Sequence, residues 1–113
     1  MRLPEVEVKV KKYDREEVLL ELPSEDHTLC NLLKWALNRK DGIVATYRIE
    51  HPVLGKRHKV EDEREHVPPK VRIRAMDEDV DAREALWEAI DELLELIEEA
   101  RREFQGALEE AES

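Results

Sequence analysis

At 113 residues the chain is long enough for one compact domain and too short for two. With one Phe, two Trp and two Tyr, its core has to be built mainly from Leu, Val, Ile and Ala. Charged residues make up 42% of the sequence and the formal net charge is −10, an acidic balance that argues against autonomous nucleic-acid binding, where phosphate contacts need Lys and Arg.

In chain order, Val6, Val8 and Val10 alternate with Glu5, Glu7, Lys9 and Lys11, the period-two pattern of a strand with one wet face. Tyr13 to Glu16 reads as a polar turn. Val18, Leu20 and Leu22 predict a second strand, ended by Pro23 and paired with the first as an antiparallel hairpin. Ser24 or Asp26 can cap a helix running from about His27 to Arg39. On it Leu29, Leu32, Leu33, Ala36 and Leu37 form one apolar face, with Thr28, Asn31, Trp35 and Asn38 off it. Asp41-Gly42 breaks this run, and Ile43 to Glu50 predicts a third strand. Val71, Ile73 and Ala75, alternating with Arg72, Arg74 and Met76, predict a fourth.

Between the third and fourth strands, residues 53–69 form a polar, charge-rich insertion, either an extended hairpin or a loop. The last element is the longest. Ala82, Leu86, Ile90, Leu93, Ile97, Ala100 and Phe104 keep a helical spacing for about six turns, with Trp87 and Leu94 widening the stripe. Such a helix is roughly 35 Å long, so one end overhangs a sheet this small. Gly106 is expected to weaken or end it, leaving 106–113 as a frayed acidic tail after a single domain over 1–105. From Asp77 onward fifteen acidic residues face only Arg83, Arg101 and Arg102, so residues 1–76 carry a slight basic excess.

The elements assemble as a two-layer α+β domain, a four-stranded, mainly antiparallel sheet with two helices on one face. The apolar helix surface exceeds what the sheet can cover, which implies a partner. Periodicity alone does not separate the side facing the chain's own sheet from the side facing that partner.

The sequence offers little for chemistry. His27 and Cys30 stand at i and i+3, but a zinc site needs three or four protein ligands, and His51, His58 and His66 lie on other segments. Cys30 within an apolar helix face is a core filler rather than a nucleophile. The glutamates of the last helix read as a solvated face rather than as catalytic carboxylates. Lys56 to Lys59 is a small basic cluster, offset by the acidic run after it. No cofactor and no metal is expected. A lone cysteine excludes an internal disulfide framework and fits a reducing, cytoplasmic setting. Neither a membrane-spanning run nor a signal-peptide core is present in the sequence.

Two stretches carry a resemblance, Asp26-His27-Thr28-Leu29-x-Asn31-Leu32-Leu33 and Tyr47-x-Ile49-x-His51-Pro52. With Val71 to Arg74 and Arg83 to Leu86 in the right order, the chain resembles the small α-like subunits of archaeal and eukaryotic RNA polymerases, called subunit L in archaea. That resemblance implies the α-dimerisation fold and a non-catalytic role in DNA-templated transcription. It implies pairing with the larger α-like RNA polymerase subunit, the one called D in archaea, and through that pair contact with other polymerase subunits. It implies no direct sequence-specific nucleic-acid binding and no membrane. His27, Thr28, Asn31, Tyr47, His51 and Pro52 match the family motif. Leu29, Leu33, Trp35 and Leu37, with Leu86, Ile90, Leu93, Leu94, Ile97 and Phe104, are the expected partner contacts. The alternative is a free-standing homo-oligomeric domain with an unassigned ligand.

Overall fold

The computed structural model describes residues 6–23, 27–48 and 68–112. Four strands, β1 (Lys9–Tyr13), β2 (Glu17–Glu21), β3 (Ile43–Arg48) and β4 (Lys70–Ala75), form one antiparallel sheet in the order β1-β2-β4-β3. Helix α1 (His27–Asn38) lies between β2 and β3 in sequence, and α2 (Ala82–Glu112) follows β4. This is the expected two-layer α+β architecture.

Register explains why one face is dry. Val18 pairs with Ile73 and Leu20 with Val71, while Ala45 and Tyr47 meet the same two β4 residues from the other side. Period-two side chains therefore stack into one apolar sheet face. Cys30, Leu33, Ala36 and Leu37 of α1 and Ala82, Ala85, Leu86, Ala89 and Leu93 of α2 close over it as a single core. No polar or charged residue is buried among those described.

Local chemistry fixes the connections. Asp14 Oδ1 accepts hydrogen bonds from the backbone N–H groups of Glu16 and Glu17 at 3.0 and 2.9 Å, an Asx turn that closes the β1–β2 hairpin. Gly42 sits at φ +78 where the chain turns from α1 into β3, and a Cβ there would lie 2.9 Å from Val80 Cγ2. Both the dihedral and the close approach call for glycine. Asp81 caps α2, accepting from the Arg83 N–H through Oδ1 at 2.9 Å and from the Ala85 N–H through its carbonyl at 3.0 Å.

Two boundaries and one strand phase differ from the sequence reading. The first strand begins at Lys9, so Val6 and Val8 precede it. A register irregularity between Val10 and Lys12 then keeps Val10 and Tyr13 both on the helix-side face, opposite Leu20 and Val18. Gly106 does not end α2, which continues to Glu112. One glycine costs a helix about 1 kcal/mol relative to alanine, and its neighbours Phe104, Gln105, Ala107 and Leu108 all continue the turn. The expected strand end at Ile49–Glu50, the helix cap at Ser24 or Asp26 and residues 53–67 of the insertion lie outside the described residues.

Candidate partner interface

The helices do not cover the whole apolar sheet face. They pack over β2, β4 and β3, leaving the helix-side face of β1 open. Val10 and Tyr13 are exposed there, and Val8 beside them is exposed as well. Their neighbours are the outward flanks of the two helices. Trp87 spans the gap, donating from Nε1 to the Tyr13 hydroxyl at 3.2 Å.

The result is a groove of about 500 Å3. Leu20 and Leu22 of the β2 segment and Leu33, Leu86 and Leu93 of the helices lie along its floor. Leu29 and Leu32 of α1 form one wall, and Ile90, Leu94 and Ile97 of α2 the other. Among the described residues its lining holds no charged side chain. Beyond the groove α2 leaves its own domain. Leu93 is its last buried residue, and every residue from Leu94 to Glu112 is exposed. That free stretch is about 28 Å long at 1.5 Å per residue. It carries Leu94, Ile97, Phe104 and Leu108, the last two 70% and 61% exposed. Contiguous exposed apolar surface on this scale marks an association site.

Lys40, just past α1, bonds Glu92 at 3.1 Å and Glu88 at 3.3 Å, tying the two helices at their joint. Partial burial would lower the Lys40 pKa, but the hydrogen bonds that Lys40 donates to Glu92 and Glu88 outweigh it and hold it above its ordinary value.

The ten residues expected at the interface differ in how far the structure exposes them. Leu94, Ile97 and Phe104 are exposed on α2, and Leu29 and Ile90 are half-buried along the groove. Leu33, Leu86 and Leu93 belong to the chain's own core and reach the groove only as its floor. Leu37 is fully buried and is corrected to a core residue, because α1 turns that side onto the sheet. Trp35 is half-exposed but lies outside the groove lining, with the Arg39 guanidinium 4.8 Å over its ring. Val8, Val10, Tyr13, Leu32 and Trp87 join the groove without having been expected there. Their alternating or helical spacing was visible, but only strand order shows that β1 is left bare.

Of the motif residues, Thr28 and Asn31 are exposed on α1, and Tyr47 packs against the core. His27 opens α1, and nothing is described of its side chain; His51 and Pro52 lie outside the described residues. Cys30 is fully buried in the core. Among the described residues no three His, Cys, Asp or Glu side chains gather as a metal site, and no helix is long and apolar enough to cross a membrane.

Comparison with known proteins gives the family and the fold. Residues 17–103 match the family described as the RNA polymerase Rpb3/Rpb11 dimerisation domain. The chain is 78% identical over its full length, and the full length of the relative, to DNA-directed RNA polymerase subunit Rpo11 of Methanopyrus kandleri. It is 34% identical over 82% of its length to subunit Rpo11 of Methanocaldococcus jannaschii, covering 90% of that protein. Its fold matches the crystal structure of DNA-directed RNA polymerase subunit L from Thermoplasma acidophilum with a TM-score of 0.73 at 22% identity, covering 97% of this chain and 96% of that one. The chain belongs to the RNA polymerase Rpb3/Rpb11 dimerisation-domain family.

Proposed function

We propose that this chain is the small α-like subunit of an archaeal DNA-directed RNA polymerase and pairs with the larger α-like subunit of that enzyme. The pair then serves as the platform on which the two large catalytic subunits assemble. The observation that carries this reading is the uncovered apolar groove, continued along the free stretch of α2, in a domain of a family named for dimerisation. An apolar surface that a folded domain leaves open is stabilised by a partner of matching shape, at roughly 25 cal/mol per Å2 buried before the ordering costs of association. The chain's own contribution is association: it holds no catalytic centre, takes no cofactor and works in the cytoplasm.

Co-expression with the larger α-like subunit from the same source, followed by size-exclusion chromatography with light scattering, tests the reading. A single 1:1 peak is the expected result. A stable homodimer that ignores the larger subunit would move the assignment to a free-standing homo-oligomeric domain.

A further inference from the structure

The sheet face turned away from both helices is basic, on an acidic protein. Strand register sets its side chains in rows across the sheet. Lys9, Glu21, Lys70 and Arg48 form one row, Lys12, Leu19, Arg72 and Thr46 the next, and Glu17, Arg74 and Val44 a third. Six of these positions are basic and two acidic, while the whole chain carries −10.

Both acids are already engaged. Glu17 is held by Arg72 Nη1 at 2.7 Å and Lys12 Nζ at 3.2 Å, and Glu21 by Lys70 Nζ at 3.9 Å. The two carboxylate side chains are 14% exposed, whereas those of Lys12 and Arg72 are 49% and 45% exposed. Solvent therefore meets the basic ends. Lys9, Arg48 and Arg74 have no ion-pair partner among the described residues. Six basic and two acidic side chains leave these rows four positive charges in excess, on a molecule whose net charge is −10.

A positive face can answer a nucleic acid or an acidic protein surface, and three features favour the protein. Among the described residues no aromatic side chain stands on this face for bases to stack on. Leu19 and Val44 lie among the arginines and lysines, the mixture of apolar spots and arginine found at protein interfaces. Helix α2, with eleven acidic residues against three arginines, repels a long polyanion but not a compact acidic patch that meets the sheet alone.

We propose that the outer sheet face is a second docking surface, separate from the groove, for an acidic surface of another polymerase subunit, with Arg48 and Arg74 supplying forked contacts to its carboxylates. The proposal rests on the polymerase-subunit reading for its setting.

The test compares the 1:1 pair with the complete enzyme assembled by co-expression. Acetylation of Lys9, Lys12 and Lys70, followed by mass spectrometry, should be at least fivefold slower in the enzyme than in the pair. Carbodiimide, which joins a carboxylate to an amine in contact, should link at least one of these lysines to an Asp or Glu of another subunit. The double variant R48E/R74E should form the 1:1 pair normally but enter the complete enzyme at least fivefold less. Equal acetylation in pair and enzyme, with the double variant incorporated at wild-type yield, overturns the proposal. Protection that appears only when DNA or RNA is added overturns it too, and gives the face to nucleic acid. Failure of the wild-type chain to form the 1:1 pair removes the polymerase reading and this proposal with it, and the missing pair peak tells that outcome apart.

Discussion

Asn38 ties α1 to the edge of the sheet through a single side chain. Its Nδ2 donates to the Ala45 carbonyl at 3.0 Å, and its Oδ1 accepts from the Ala45 N–H at 2.8 Å. The amide thus takes the place of a neighbouring strand on β3, which is an edge. Ala45 is buried, so Asn38→Ala leaves two backbone groups unsatisfied and should cost about 2 kcal/mol, read as a lower denaturant midpoint. Asn38→Asp, which keeps the acceptor but sets a carboxylate against the Ala45 carbonyl, should be no better at neutral pH. A midpoint unchanged in both variants would show that the amide bonds add nothing. Asp81 acts on α2 in a different way. The Arg83 side-chain hydrogen bond is the main cause that lowers its pKa from an ordinary 3.8 to about 2. A carboxylate depressed in the folded state adds stability that is complete above pH 3.8 and disappears as pH falls through 2. Asp81→Asn keeps a capping oxygen but removes the charge, so its Tm should fall less than the wild-type Tm between pH 5 and pH 2. Parallel Tm profiles for the two proteins would remove Asp81 from the acid response.

At the scale of elements, α2 does two jobs along one stripe, and the division falls at Leu93. Leu93 is 8% exposed and packs in the chain's own core, whereas Ile97, one turn on, is 60% exposed. Leu93→Asp therefore buries a charge and should unfold the chain by itself, which makes it a poor probe of pairing. Ile97→Asp should leave the circular dichroism and Tm of the chain within error of wild type. It should weaken the 1:1 pair at least thirtyfold, about 2 kcal/mol. If Ile97→Asp paired at wild-type affinity, the free stretch of α2 would not be part of the interface. The sequence showed this stripe as one object, because helical spacing records which side of a helix is apolar and not how far its own sheet extends. Gly106 looked like a stop for the opposite reason. A local penalty of about 1 kcal/mol is visible in the sequence, but the surrounding helix formers that outweigh it act only in sum. Likewise the Val6, Val8 and Val10 alternation predicts a strand, yet β1 starts only at Lys9, and the irregularity between Val10 and Lys12 changes its phase. The hairpin, both helices and the inward residues of β2 and β4 were legible from period alone. The bare face of β1 and the rows of the outer face were not, since both depend on the order β1-β2-β4-β3.

Across the whole molecule, the apolar groove lies on the opposite side of the sheet from the basic rows. The described lining of the groove carries no charge, the outer sheet face is basic, and α2, with eleven acidic residues against three arginines, accounts for −8 of the net −10. Associations made on these surfaces should answer salt in opposite ways. Apolar burial is not screened, and kosmotropic salts strengthen it. Contacts between exposed charges weaken as the Debye length shrinks from about 10 Å at 0.1 M to about 3 Å at 1 M. Raising NaCl from 0.1 to 1 M should therefore leave the 1:1 pair intact by light scattering while releasing that pair from the larger assembly. Sodium sulfate at equal ionic strength should hold the pair at least as firmly. Dissociation of the pair itself at 1 M NaCl would mean that charges outside the groove hold it, and the assignment of the groove as the pairing surface would then fail. A larger assembly that survives 1 M NaCl unchanged would mean that its contacts with this chain are apolar, and would turn attention from the outer face to Phe104 and Leu108 at the far end of α2.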